Sequence, residues 1–142
     1  MRMNKVNLLD IIFLGWYQIM DKTVYSFENK GRAIGPKEHS LFITFLLHGI
    51  NLWTLLSYLL TQYFNKPLPL YFGLFVAILV FLLGYNIYIR QNRAEKVISY
   101  NITTIKILFY ILASIIYTII SIYCMLEVGD FVRSKLTGTS LD

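Results

Sequence analysis

Three long apolar runs dominate the order of residues. The first, Ser40 to Phe64, opens Leu41-Phe42-Ile43-Thr44-Phe45-Leu46-Leu47 and contains no acid and no lysine. As a helix rising about 1.5 Å per residue, it is long enough to cross a hydrocarbon layer of about 30 Å. The second, Leu70 to Ile89, is more uniformly apolar and stops at Arg90. Between them stand Asn65-Lys66-Pro67-Leu68-Pro69, and each proline disfavours helix in the residue before it. So short a link predicts an antiparallel hairpin. The third run extends from about Ile102 to Leu126, entered past Lys106 and left at Glu127 and Asp130. The aliphatic stem of Lys106 lets its ammonium reach a headgroup layer.

The segment Val6 to Met20 is apolar but short, and Asp10 interrupts it. On a helix Leu9, Ile12, Phe13, Trp16 and Met20 share one face, while Asn7, Asp10, Gln18 and Asp21 lie opposite, with Leu14 the exception. This pattern predicts an amphipathic helix lying in a membrane interface, with Trp16 and Tyr17 as headgroup-level anchors and Asp10 kept hydrated. A fourth or re-entrant span is the second reading, and a soluble packing helix the third. A signal peptide is set aside, because Asp10 breaks the apolar core and Gln18-Ile19-Met20 offers no small-residue cleavage site. From Asp21 to His39 the chain turns polar, and Gly31, Gly35 and Pro36 break any long helix, which reads as a connector.

Composition agrees with this layout. Of 142 residues, 56% are hydrophobic and 15% charged, an excess that a soluble domain of this length could not hide without a large apolar patch. Isoleucine outnumbers alanine 19 to 4, a bias in keeping with an AT-rich bacterial genome. The net charge of +5 sits in short segments beside the apolar runs and forms no continuous basic stripe, which excludes nucleic acid as the expected partner. Ten Lys and Arg residues precede the first run or separate the second from the third (Arg2, Lys5, Lys22, Lys30, Arg32, Lys37, Arg90, Arg93, Lys96 and Lys106). Three (Lys66, Arg133, Lys135) fall on the other side. The positive-inside rule then predicts a cytoplasmic N-terminus and an external, periplasmic C-terminus in a bacterial inner membrane. The expected fold is an all-α integral membrane protein with three transmembrane helices in a small bundle, preceded by the N-terminal amphipathic interfacial helix. Residues 1–39 form the interfacial segment and connector, 40–127 the bundle with spans at about 40–64, 70–89 and 102–126, and 128–142 an external polar tail frayed after Asp130. This layout resembles that of small bacterial three-span membrane proteins with a basic aromatic segment before the hairpin, and it carries over no functional residues.

The first run is not uniformly greasy. Thr44, His48, Asn51 and Tyr58, joined by Gln62, repeat down one face of a helix. Such a stripe in lipid seeks hydrogen-bond partners on neighbouring helices; the sharper reading makes His48 a proton or ion relay lining a pore. Gly73, Ala77 and Gly84 put small residues on one face of the second run, suited to close helix approach. Ser114, Tyr117 and Ser121 form a matching face on the third, expected to accept bonds from His48 and Asn51.

Little points to chemistry. Glu127 and Asp130 are two carboxylates without further oxygen ligands, His39 and His48 do not share a helical face, and the lone Cys124 builds neither a disulfide nor a metal site. No metal or cofactor is expected, and no HExxH, GxSxG or phosphate-loop pattern marks a catalytic residue. The sequon at Asn101 falls on the predicted cytoplasmic side. The expectation is a non-enzymatic accessory or immunity-type protein, held in the bilayer and binding another membrane protein or a toxin. The runner-up is a homo-oligomeric pore or transporter subunit lined by the first-run stripe.

Overall fold

A computed structural model describes residues 6–24, 35–99 and 102–138. Most of these residues are helical, with no strand among them. Helix α1 spans Leu8–Ile19, α2 Pro36–Phe64, α3 Leu70–Tyr85, α4 Arg93–Ile98 and α5 Thr104–Thr137. Single π-helical turns, Met20–Val24 and Asn86–Arg90, extend α1 and α3. Three helices are long and apolar enough to cross a membrane: Pro36–Phe64, Tyr71–Arg90 and Thr104–Thr137. Residues 31–34 of the irregular glycine stretch, Asn101 of the sequon and residues 139–142 lie outside the described residues.

Local chemistry sets the boundaries. α2 begins at Pro36, whose missing N–H costs nothing in a first turn. It ends where Asn65 turns left-handed (φ 50°) and donates back to the Thr61 carbonyl at 3.2 Å. Asn92 adopts the same conformation (φ 54°), closing the wide turn after α3 and opening α4. α5 continues past Asp130, where the sequence reads as a tail, and stops at Gly138 (φ 67°), whose N–H returns to Ser134. The loop expected after Arg90 instead contains α4, because Ala94 and Val97 find an apolar surface and are 1% exposed.

The chain packs as two units. One gathers the described residues of Met1–Thr44 and Leu83–Tyr117, the other those of Phe45–Leu82 and Thr118–Asp142. In the first, Ile12, Phe13, Leu14, Leu41, Tyr88, Ala94 and Val97 are buried. In the second, neighbours at Gly49 and Ala77, then Trp53 and Gly73, run in opposite senses along α2 and α3, so the hairpin is antiparallel. Asn51 with Ser121, Tyr58 with Phe131 and Gln62 with Lys135 advance together, so α2 and α5 are parallel there.

Candidate functional site

The densest polar cluster lies in the first unit and begins with a capping box. The Asp10 N–H donates to Asn7 Oδ1 at 2.8 Å, and the Asn7 N–H donates to Asp10 Oδ2 at 3.0 Å. This reciprocal pair satisfies two donors that a helix start leaves unpaired. The same carboxylate accepts Arg93 Nε at 2.9 Å, Arg93 Nη2 at 2.6 Å and the Tyr88 hydroxyl at 2.6 Å. With the Asn7 N–H, these donors match the roughly four lone-pair sites of a carboxylate. The bidentate geometry is the strongest form of such a pair. Phe13 stacks edge-on to Tyr88 with ring centroids 5.3 Å apart, and the Arg93 guanidinium lies 6.0 Å from the Tyr88 ring centroid.

Asp10 is 1% exposed. The expectation of a hydrated Asp10 is therefore corrected: the side chain points into protein because Arg93 and Tyr88 supply the partners that water would have supplied. The buried residues of α1 are Asp10, Ile12, Phe13, Leu14 and Gly15, while Leu9, Trp16 and Met20 are half-buried. The inward side thus takes in Asp10 and Leu14 from the face read as polar. Burial alone would raise the Asp10 pKa, but hydrogen bonds from Arg93, Tyr88 and Asn7, with the charge of Arg93, outweigh it and hold the carboxyl below its ordinary value. The bond to Asp10 raises Arg93 further above its own.

α1 also meets α5 closely. A Cβ at Gly15 would overlap Ser114 Oγ and the Tyr110 carbonyl, so only glycine fits there. The Ser114 hydroxyl donates to the Ile12 carbonyl at 3.0 Å and to the Tyr110 carbonyl at 2.9 Å. Ser114, read from sequence as facing the first run, is placed against α1. Trp16 and Tyr17 are half-buried, and the Trp16 indole N–H is buried without a partner among the described residues.

In the second unit Asn51 Nδ2 donates to Ser121 Oγ at 2.9 Å, joining the two polar faces read from the sequence. The rest of the stripe divides. Thr44, which belongs to the first unit, is fully buried and donates to the Ser40 carbonyl of its own helix at 2.7 Å. His48 lies beside Phe45, ring centroids 6.4 Å apart, and Tyr58 beside Phe131 at 5.2 Å. Gln62 accepts Lys135 Nζ at 3.1 Å on its carbonyl and 3.2 Å on its side chain. Gly73 underlies the Trp53 indole, Ala77 meets Gly49, Gly84 is buried and Tyr117 half-buried. Gly15, Gly49, Tyr88 and Arg93 are the positions that sequence reading missed. Only the Asn7-to-Asp10 spacing, that of a capping box, carried a local signal.

Among the described residues no group of three or more His, Cys, Asp or Glu side chains is placed to hold a metal ion. Glu127, Asp130 and Cys124 are exposed. Comparison with family models, curated proteins and solved structures finds no match.

Proposed function

We propose that the chain is a small non-enzymatic integral membrane protein, an accessory or immunity-type subunit that binds another membrane protein or a toxin. One observation carries this reading. Asn51, at the centre of the stripe that a pore would need to turn toward water, hydrogen-bonds Ser121 of the same chain. The outward surfaces are apolar instead: Leu74, Phe75, Ile78 and Leu82 on α3 and Ile105, Leu108, Phe109 and Leu112 on α5 are all more than half exposed. Such surfaces suit lipid and the helices of a membrane partner.

In this reading the bilayer is a bacterial inner membrane, the N-terminus is cytoplasmic and the C-terminus external, following the ten-to-three division of Lys and Arg. α1 lies near the cytoplasmic interface, with Trp16 and Tyr17 at headgroup level. In a Cys124→Ser background, Lys66→Cys then reacts with an impermeant thiol reagent in intact cells and Lys96→Cys does not; labelling of both rejects the three-span topology. The deciding functional experiment is reconstitution in vesicles. Ion flux stays at background before and after His48→Leu. A pH-dependent conductance that disappears with His48 would reject the interaction reading and install the pore.

A further inference from the structure

The second unit contains a half-open pocket of about 300 Å³, at the small end of the range for ligand sites, about 300 to 1,000 Å³. Leu68, Met125 and Val132 give it apolar walls, and Pro67 of the hairpin loop and Gly129 of α5 also line it. Thr54 lines it, is 7% exposed, and its hydroxyl is buried with no partner among the described residues. That is unusual for a helical threonine, whose hydroxyl commonly donates to the carbonyl four residues back. Thr44 and Thr137 do so here. The indole N–H of Trp53, another lining residue, is also buried and unpartnered. The Trp53 N–H lies against Gly73 of α3, so the donor that the pocket wall offers is the Thr54 hydroxyl. One donor beside apolar walls is the complement of an apolar ligand bearing a carbonyl oxygen.

We propose that this pocket holds one segment of a membrane phospholipid: the ester carbonyl and the adjoining stretch of a single acyl chain. The carbonyl accepts the Thr54 hydroxyl, and the chain runs along Leu68 and Met125. Position favours this occupant. The pocket adjoins the loop where α2 ends and α3 begins, and two spans that turn back there put it at the boundary between headgroups and hydrocarbon, the depth of a lipid's ester groups. The volume suits one such segment and excludes a whole lipid. This inference rests on the membrane reading above, whose own failure would show separately as a chain released from membranes by alkaline carbonate.

The chain has two tryptophans, so Trp16→Phe leaves Trp53 as the sole reporter. The full-length Trp16→Phe protein, in dodecyl maltoside, is titrated with phosphatidylcholine brominated close to the ester. Trp53 emission falls saturably, with one lipid per chain at the plateau. Thr54→Val keeps the side-chain volume but removes the hydroxyl, and raises the half-saturating lipid concentration about fivefold, the weight of one neutral hydrogen bond; Thr54→Ser leaves it unchanged. Gly129→Leu fills the pocket and abolishes the saturable phase, and its Cβ meets nothing within 4 Å, so the helix accepts it. Quenching that rises without saturation, or that survives Gly129→Leu, overturns the proposal. So does Thr54→Val behaving like Thr54→Ser, a comparison that still decides if Gly129→Leu fails to fold. Loss of the saturable phase as protein concentration rises, together with a dimer on gel filtration, would assign the pocket to a second copy and likewise overturn it.

Discussion

In the unit that holds α1 and α4, the fully buried side chains include the large apolar Phe13, Ile12, Leu14, Tyr88 and Val97, the hydroxyls of Ser40, Thr44 and Ser114, and Asp10, which pairs with Arg93. In the unit that holds the α2–α3 hairpin, Thr61 and Ser121 are deepest, followed by the apolar Phe45 and Leu47 and then by Thr54, Val76 and Ser57. Large apolar side chains of the hairpin, Leu55, Leu74, Phe75, Ile78 and Leu82, face outward. Both units bury hydroxyls, but the first also buries large apolar side chains fully and neutralises a buried acid, as a protein bathed in water does. In the hairpin unit hydroxyls are buried deepest, and the large apolar side chains are less completely covered. In lipid that is favourable, because burying a leucine among helices gains nothing over leaving it among acyl chains, and close packing and hydrogen bonds decide what goes between helices.

The largest effect that tests this contrast is removal of the cation. Arg93→Ala leaves a carboxylate that is 1% exposed without its charge partner, and about 3 kcal/mol of stability is lost. Hydrogen exchange is expected to locate the loss in α1, with the hairpin amides unchanged; equal loss in both units would break the comparison. The same pair gives a pH dependence. Asp10 holds its proton less readily when docked than when free. The ion pair therefore contributes fully above the ordinary carboxylate pKa of about 3.9 and is lost as pH falls through the lower, docked value. Protection of α1 stays level from neutral pH down to about 4 and falls only in stronger acid; a loss near pH 6 would mean that another group controls docking.

Glycines sharpen the contrast at the next level. Gly15→Ala forces a methyl against Ser114 and the Tyr110 carbonyl and costs about 1 to 3 kcal/mol in a denaturant titration. Gly129→Ala meets open space and gains up to about 1 kcal/mol from helix propensity. Equal effects at the two sites would contradict the close crossing of α1 and α5. Asn51→Val removes the bond to Ser121 and is expected to cost about 1 kcal/mol, confined to the hairpin unit. A cost near zero would mean that this hydrogen bond contributes nothing. The smallest effect belongs to Lys37, whose exposed contact with Glu95 spans 3.3 Å. Lys37→Ala changes stability by no more than about 0.5 kcal/mol, and a larger loss would show that this surface contact helps hold α4.

The order of residues alone determined the three long helices. Their lengths, the prolines at 67 and 69 and the scarcity of charge within them are local properties that need no partner to be read. The small-residue positions Gly73 and Ala77 and the polar positions Asn51 and Ser121 were legible for the same reason, since helical periodicity places them on faces. What those faces meet was not. Asp10 reads as a break in an amphipathic pattern until Tyr88 and Arg93 arrive from 78 and 83 residues further along the chain. The π-helical turn Asn86–Arg90, which precedes that arginine and contains that tyrosine, has no periodic signature in the sequence. Ser114 likewise has a face but no address; only the glycine at position 15, which lets α1 come close, directs its hydroxyl to the Ile12 carbonyl. A charge's cost depends on its surroundings, so whether Asp10 meets water or an arginine was decided by tertiary packing, which brings distant side chains within hydrogen-bonding reach.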